Sequence, residues 1–394
     1  MTATRPTGAR GVVAIALLLA LVAGLIWLST DSSSDRAATN AAAGSQVAGD
    51  AGANGCSWGQ LLFTEGPRLS ACRAPYGPES PFNRPIDISP PQAPGSEETI
   101  AQLTEGDPPA SMVFGDPLRD GGLPVYRSRP QDPLYTLHCT KPWGRCEIEG
   151  EQVRIPSAAL PAGSWPDPDD QSDGHLTVID PNSGEEYDLW NVSSKPQAGG
   201  RLEFAWGGKT EIDGDGLGSA AVAAGWGSLS GLIRVQEQIS GRIPHALAVV
   251  VPCTAGVVYP ASGGGQSCAN AGLPGVGAPP MGAHLQLDMS EEEIEGLGLP
   301  RGETAILQAM ARYGGFVSDT TGADHWGFET ESSAAYSSFG EVDPRISFAQ
   351  RAGIEPQDFN ANGSEEYWLP FSTSVDWQEN LRVIDPCVSR GTCG

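Results

Sequence analysis

Residues 175–192 read HLTVIDPNSGEEYDLWNV, and this stretch decides the fold class. Two runs of strand-forming residues, HLTVID and EEYDLWNV, flank the turn sequence Pro181-Asn182-Ser183-Gly184. Asn and Gly tolerate the backbone conformations that tight turns need, so the two runs are predicted to pair antiparallel. The stretch therefore predicts a β-hairpin.

Further runs of strand length and composition lie outward from this hairpin, separated by clusters of turn residues. They are LYTLHC from residue 134, EQVRIP from 151, RLEFAW from 201, HALAVVVPC from 245, AHLQLDM from 283 and GGFVSDT from 314. Many short strands with few helices are typical of two-layer β architectures. We expect a mainly β protein, a β-sandwich of jelly-roll type with one or two short helices.

One helix is predicted after residue 290, and a helical turn is predicted at residues 100–103. Ser290 and Glu293 match a capping box, in which each side chain binds the backbone N–H of the other residue. Ile306, Met310 and Tyr313 share one helical face, and the two glycines that follow them end the helix.

The N-terminus predicts export. Residues 1–10 are basic, and residues 11–29 contain an uncharged apolar run about 27 Å long as a helix, close to the roughly 30 Å hydrocarbon core of a bilayer. The positive-inside rule leaves residues 1–10 in the cytoplasm and the rest outside. A retained transmembrane signal anchor and a cleaved signal peptide are both open, and the length of the run favours the anchor. The predicted location is the cell membrane or the exterior.

Three regions follow the apolar run. Residues 30–54 are rich in Ser, Ala and Gly, which predicts a disordered tether. Residues 55–133 are rich in Pro and Gly and are predicted to wrap over a core. Residues 134–394 contain the strand-like runs and form the predicted extracellular β-sandwich domain.

The composition is acidic and contains no cofactor motif. Lys and Arg total 23 against 48 Asp and Glu, a formal net charge of −25. Such a surface repels phosphate backbones, so nucleic acid is excluded as an expected partner. No Walker loop, dinucleotide fingerprint, G-x-S-x-G or H-E-x-x-H sequence occurs, and we predict neither a cofactor nor a metal.

Eight cysteines, all after the apolar run, suit an oxidising compartment. The absence of C-x-x-C pairs and of Cys/His clusters argues against zinc. Spacing suggests four local disulfides, Cys56 with Cys72, Cys139 with Cys146, Cys253 with Cys268, and Cys387 with Cys393.

Acid–base chemistry has several candidate residues. A polysaccharide lyase needs a base, a Tyr or His acid, and a cation facing the uronate carboxylate. His175, His245, Tyr187 and Arg242 are of these types. A glycoside hydrolase needs two carboxylates. Those on or beside predicted strands are Asp180, Asp188, Asp288 and Asp319.

Strand alternation also predicts a binding face. In AHLQLDM the polar residues His284, Gln286 and Asp288 share one face, and a polar row beside aromatic residues is typical of saccharide clefts. The aromatic candidates are Tyr187, Trp190, Trp206, Trp226 and Trp326. We expect Trp190, His284, Gln286 and Asp319 to contact substrate, while a solvated polar face and buried tryptophans are the alternative.

Several segments resemble a family of secreted bacterial proteins without an established activity. They are SPFNRPI, SDGHLTVIDPNSGEEYDLWNV, SGLIRVQEQISGRIPHALAVVVPCT, PPMGAHLQLDM and LPRGETAILQAMARYGGFVSD, spread over residues 75–330. The resemblance implies one extracellular domain, and the family more usually has arginine at the position of His284. Its pattern marks Asp173, His175, Asp180, Tyr187, Asp188, Trp190, His245, Pro252, Met281 and Asp319.

Two hypotheses follow for function. The first is a carbohydrate-active enzyme, lyase or hydrolase, acting on an envelope or extracellular polysaccharide, with His175, His245, Asp180, Tyr187 and Asp188 as catalytic candidates. The second is a noncatalytic glycan- or cell-wall-binding protein that uses the same face. Convergence of His175, His245 and an acid in one open groove favours the enzyme.

Overall fold

The hairpin at residues 175–192 is confirmed in a computed structural model. The structure describes residues 74–393 except 106–108, 111, 118–119, 142, 164–172, 219–220, 322–324, 358–364 and 370. The predicted membrane segment and tether, and the predicted Cys56–Cys72 pair, lie outside these ranges. Among the helices that are described, none is both long and apolar enough to cross a bilayer.

The hairpin lies at the centre of a six-stranded sheet. Strand order in the sheet is β2-β5-β6-β7-β3-β4, and Asp180 lies opposite Glu185 across the hairpin turn. The strands are β2 (Val125–Arg127), β3 (Leu134–Cys139), β4 (Gln152–Arg154), β5 (Leu176–Asp180), β6 (Glu185–Ser194) and β7 (Gly200–Glu211).

A second sheet has five strands in the order β11-β8-β10-β9-β13. They are β8 (Leu247–Val251), β9 (His284–Leu287), β10 (Gly315–Thr320), β11 (Gly327–Phe328) and β13 (Leu381–Ile384). A separate antiparallel pair joins β1 (Met112–Phe114) to β12 (Tyr367–Leu369). All eight runs predicted as strands are strands, and the mainly β class is confirmed.

Strand pairing differs from the antiparallel pattern of the expected jelly roll. Three neighbouring pairs are parallel, namely β2 with β5, β3 with β7, and β8 with β10. Parallel neighbours need a crossover connection, commonly one that contains a helix. The chain between β8 and β10 accordingly includes helices, and the prediction of one or two helices was too low.

Nine α-helices occur in the part of the chain that the structure describes. They are α1 (Ser96–Leu103), α2 (Val235–Ser240), α3 (Cys268–Ala271), α4 (Glu291–Gly296), α5 (Arg301–Arg312), α6 (Ala334–Ser337), α7 (Pro344–Arg351), α8 (Trp377–Asn380) and α9 (Pro386–Arg390). Short 3-10 turns lie at Pro81–Asn83 and Phe371–Ser374. The capping box of Ser290 and Glu293 is confirmed at the start of α4. The predicted helix divides into α4 and α5 because Gly298 is left-handed, with φ 66°, and Pro300 precedes α5.

Each large sheet has its own buried core. Phe316, Met310 and Trp226 belong to the core that covers the five-stranded sheet. Tyr135 and Phe204 belong to a second core on the six-stranded sheet. A smaller buried cluster packs Val125 and Ile179 of the six-stranded sheet against Leu229 and Leu232.

Residues 74–133 contribute a strand to the six-stranded sheet and side chains to the core of the five-stranded sheet. Strand β2 extends the six-stranded sheet, and β1 pairs with β12 near the C-terminus. Phe82 and Phe114 are buried with the core of the five-stranded sheet.

Three of the four predicted disulfides are confirmed, and the fourth pair lies outside the described residues. The bonded pairs are Cys139–Cys146, Cys253–Cys268 and Cys387–Cys393. Each closes a short local loop, which is why residue spacing was sufficient to predict the pairing.

Candidate functional site

A cleft of about 1280 Å³ lies between the two large sheets. Trp190 and Trp206 line it from the six-stranded sheet, and Asp319 and Thr320 line it from the five-stranded sheet. The remaining walls come from residues 217–218, 221–223, 225 and 259–266, which lie in loops. The site therefore depends on parts of the chain that are far apart in the sequence.

Three tryptophans form one wall of the cleft. Trp190 and Trp206 lie directly opposite each other on β6 and β7. The ring of Trp143 stacks on that of Trp190, with centroids 5.4 Å apart and an interplanar angle of 25°. Trp143 is 60% exposed. Large aromatic surfaces left open to solvent in a cleft are typical of ligand-binding sites.

Trp143 is carried by the short loop that the Cys139–Cys146 disulfide closes. The N–H groups of Thr140 and Lys141 donate to the carbonyls of Phe204 and Ala205 on β7, at 2.8 and 3.1 Å. The disulfide and these hydrogen bonds together hold the Trp143 loop against the edge of the tryptophan wall.

The chain just before β5 brings Asp173 and His175 to the cleft. Gly174 between them is left-handed, with φ 55°, which permits the tight approach of this segment to β6. The N–H of Asn191 donates to the Asp173 carbonyl at 2.8 Å. The indole N–H of Trp190 donates to the Asp173 carboxylate at 3.3 Å, so the acidic and aromatic parts of the site touch.

A β-bulge turns Asp319 toward the cleft. Val317 lies opposite Val249, but the next paired residue is Asp319, opposite Val250, so Ser318 is extra. Without the extra residue, alternation would put Asp319 opposite Val251 and on the buried face. The N–H groups of Thr320 and Ala223 donate to the Asp319 carboxylate at 2.7 and 3.2 Å.

Glu329 lies in a smaller recess of about 250 Å³ that shares Asp173, His175 and Asp319 with the main cleft. It follows β11, and its N–H donates to the Ala248 carbonyl at 3.0 Å. In this antiparallel register Glu329 lies opposite Ala248, two residues from Val250, so Glu329 and Asp319 project from the same face.

Burial and mutual repulsion perturb the acidic groups of the site. Burial, with the negative charge of Asp173, raises the pKa of Asp319 to about 6. Burial, with the charges of Asp319 and Asp173, raises the pKa of Glu329 to about 8. Burial lowers the pKa of His175, so its imidazole is neutral at pH 7 and able to accept a proton.

The linings of the cleft and the recess contain acidic groups but no lysine or arginine, among the residues described. Besides Asp173, Asp319 and Glu329, the recess is lined by Asp120. Asp120 accepts hydrogen bonds from the Ser332 hydroxyl and the Gly122 N–H. Carboxyl groups with divergent pKa values beside a neutral histidine are equipped for general acid–base catalysis.

Metal ligation finds little support in the described part of the chain. One group of potential ligands, Cys139, Cys146 and Glu149, lies within 4.8 Å. The two sulfurs are bonded to each other, which leaves no thiolate for a metal.

His245 lies away from the cleft, contrary to the catalytic interpretation. It is fully buried, and its ring nitrogens contact the Glu237 carboxylate at 2.9 Å and the Ala246 carbonyl at 2.7 Å. Glu237 also pairs with Arg234. A histidine with both nitrogens occupied by protein acceptors in a buried ion-pair network stabilises the fold, and no free nitrogen remains for substrate.

Two residues of the predicted polar row, His284 and Gln286, are buried, while Asp288 just after β9 is exposed, pairs with Arg382 at 2.8 Å and lies outside the cleft. His284 contacts the Ser389 hydroxyl at 2.9 Å and the Tyr313 carbonyl at 2.8 Å, and burial lowers its pKa to about 4. The Gln286 amide donates to the Ala311 carbonyl at 2.8 Å. These contacts satisfy backbone carbonyls at the C-terminal end of α5, so neither side chain is available to substrate.

The three remaining candidates of the hairpin also have structural partners. Asp180 caps the turn by accepting from the Asn182 N–H at 3.0 Å. The Tyr187 hydroxyl donates to Glu151 at 3.3 Å. Asp188 is fully buried and accepts from the Thr177 hydroxyl at 2.9 Å. None of the three lines the cleft or the recess.

The structure thus brings together His175, Trp190 and Asp319 from the predicted set, with Asp173 from the family pattern. Trp226 and Trp326, aromatic candidates, are buried core residues. Trp143 and Glu329 were missed. Trp143 could have been found, because it is a tryptophan inside a predicted disulfide loop. Glu329 could not, because it follows a two-residue strand that is too short to show alternation.

Comparison with protein-family models, with curated proteins and with solved structures finds no match to this chain. The resemblance to secreted bacterial proteins stays a prediction, and the site geometry carries the functional argument.

Proposed function

We propose that this protein is an exported, glycan-active hydrolase. The observation that carries the proposal is a cleft in which a wall of three tryptophans contacts the Asp173 carboxylate and lies with Asp319, a carboxyl whose pKa is raised to about 6. The flat apolar faces of sugar rings stack on indole rings, while hydrolysis of a glycosidic bond needs an acid and a base beside that bond.

Asp319 is the proposed general acid. With a pKa of about 6, a substantial fraction of this carboxyl is protonated in mildly acidic solution, and two backbone N–H groups fix its orientation. Asp173 is the proposed base or nucleophile, held by the Trp190 indole. His175, neutral at pH 7, is proposed to assist proton transfer between them.

Hydrolysis is favoured over the lyase reaction by the charge of the lining. A lyase must neutralise a uronate carboxylate, and the described lining of the cleft has no lysine or arginine. Arg242, the residue predicted for that role, lines a separate cavity with Arg312 and Glu291.

The predicted export of the domain implies that the proposed substrate lies outside the cytoplasm. If residues 11–29 are kept as an anchor, the tether at residues 30–54 lets the domain reach about 25 to 30 Å from the membrane. An envelope or extracellular polysaccharide therefore suits the proposal.

The test is incubation of the purified full-length protein with chitosan, chitin, cellulose, xylan and alginate. New reducing ends are expected from at least one neutral or aminated glycan, without the absorbance of unsaturated uronates. Asp319→Asn, which removes the acidic proton, is expected to lower the rate by at least about 100-fold.

Asp213→Asn is the matched control, because Asp213 is exposed and lies outside the cleft and recess. It should retain full activity, and circular dichroism should show that both variants are folded. Glycan binding without any product, lost in Trp190→Ala, would instead support the alternative, a noncatalytic binding protein. Neither binding nor product from any glycan would exclude both.

A further inference from the structure

We infer that the recess behind the cleft binds an amino group of the glycan, so that the substrate class is a polysaccharide of de-N-acetylated amino sugars. The inference rests on the proposed function, since it assumes that the tryptophan wall binds a sugar chain. Beyond the proposed function, it names the amino group as the sugar substituent that the recess binds.

Glu329 is the residue that carries the selection. Its backbone is fixed on both sides, because its N–H donates to Ala248 and its carbonyl accepts from Ile233, each at 3.0 Å. Its partly buried side chain lines the recess. The position of this carboxyl is thus set by the sheet.

The Glu329 carboxyl lacks a hydrogen-bond donor among the described residues, unlike the other carboxyls around it. Asp319 receives two backbone N–H groups, Asp173 receives the Trp190 indole, and Asp120 receives Ser332 and Gly122. The Glu329 carboxyl is therefore an acceptor that a ligand can reach without displacing a protein donor.

Charge decides which donor fits. The carboxyls of Asp120, Asp173 and Asp319 line the same recess, whose described lining includes no lysine or arginine. An ammonium group fits this surrounding, because it brings N–H donors to Glu329 and a positive charge that stabilises the ionised carboxyls, whereas a uronate would add a further negative charge to the recess. Binding of the ammonium group would also favour ionised Glu329, whose pKa is otherwise raised to about 8.

The size of the recess agrees with one substituent or one ring rather than a chain. It holds about 250 Å³ and opens to the main cleft through the shared residues Asp173, His175 and Asp319. Asp173, which the Trp190 indole contacts, lines both the cleft and the recess, so a sugar stacked on Trp190 would lie beside the opening of the recess.

The test compares hexasaccharides of equal length by titration calorimetry on the full-length protein, at a pH that keeps amines protonated. Glucosamine hexamer is expected to bind at least about tenfold more tightly than cellohexaose, the range of a hydrogen bond to a charged group. The N-acetylglucosamine hexamer should resemble cellohexaose, and a galacturonate hexamer should bind more weakly than either.

Glu329→Gln should remove the preference for glucosamine hexamer while cellohexaose binds as before. Glu329→Asp, which keeps the charge, should retain part of the preference, and Asp213→Asn should change nothing. Equal affinity for glucosamine hexamer and cellohexaose, or a preference that survives Glu329→Gln, would overturn the inference and leave the proposed function standing. No binding of any hexamer would overturn both.

Discussion

At the scale of single residues, a left-handed glycine and a β-bulge orient the side chains of the site. Gly174 lets the segment with Asp173 and His175 run close to β6, and the extra Ser318 turns Asp319 away from the buried face. The functional groups are ordinary carboxyls and one imidazole. Their burial shifts their pKa values, and the backbone around them sets their orientation.

Gly174→Ala is expected to lower activity by at least about tenfold, because a small displacement of catalytic groups is costly. A Cβ at this position would lie 3.3 Å from the backbone of Asn191 and Val192, and φ 55° disfavours a side chain. The segment must shift, and Asp173 and His175 shift with it. The measurement is kcat on the active glycan together with Tm.

Gly184→Ala is the matched control for that variant. Gly184 also has a positive φ, 75°, but its added Cβ would have no neighbour within 4 Å. Both variants should lose about 1 to 2 kcal/mol of stability from the left-handed backbone. Equal loss of kcat in the two would show that Gly174 has no special role in the site.

At the scale of elements, the cleft combines the face of two central strands, β6 and β7, with loops that disulfides close. The Cys139–Cys146 loop carries Trp143 to the rings of β6 and β7, and Cys253–Cys268 spans the loop whose residues 259–266 form another wall. Loops that carry binding residues need such constraints, since ordering a free loop on binding costs entropy.

The double variant Cys139→Ser/Cys146→Ser is expected to bind the glycan several-fold more weakly while the sheets stay folded. Loss of the covalent closure frees Trp143 from its stack on Trp190, so tryptophan fluorescence should also change. Titration calorimetry and the fluorescence spectrum measure the two effects.

Cys387→Ser/Cys393→Ser is the control, because that disulfide closes a loop of similar length outside the cleft. It should leave glycan affinity unchanged. If both double variants bind equally well as wild type, the Trp143 loop does not contribute to binding.

At the scale of the whole molecule, acidic side chains are buried as well as exposed. Glu186 is fully buried, receives the Tyr76 hydroxyl at 2.7 Å, and lies near Asp188. Burial and the charge of Asp188 raise the pKa of Glu186 well above its usual range. With Asp319 and Glu329, the fold therefore holds several protons that the unfolded chain would release.

Stability is expected to fall as pH rises from about 4.5 to about 8, the window between the usual and the raised pKa of Glu329. A carboxyl with a raised pKa binds its proton more tightly in the folded state. Its contribution is complete below the usual pKa and is lost as pH rises through the raised one. Tm measured by calorimetry across this window should decrease.

Glu329→Gln, which cannot ionise, should flatten the upper part of that Tm curve. Asp213→Asn, at an exposed position, should leave the curve unchanged. A Tm that increases steadily from pH 5 to 8 would show that ionised carboxyls stabilise the fold, in contradiction to the prediction.

The sequence by itself determined the features that depend on neighbouring residues. The hairpin, the eight strand runs, the capping box of Ser290 and three disulfides were all predicted correctly, because turn chemistry, side-chain alternation and short loop closure are local. His175, Trp190 and Asp319 were named from their residue types and from the family pattern.

Only the tertiary structure decided which of these residues meet. The alternation of β9 correctly grouped His284 with Gln286, but the end of α5 buries that face, and the sequence pattern cannot show what covers a strand. Asp319 reaches the cleft through a one-residue bulge, and Glu329 joins it across β8. Contacts between distant segments depend on strand order and register, which local sequence does not encode. The cleft therefore follows from packing, while its chemistry follows from residue types.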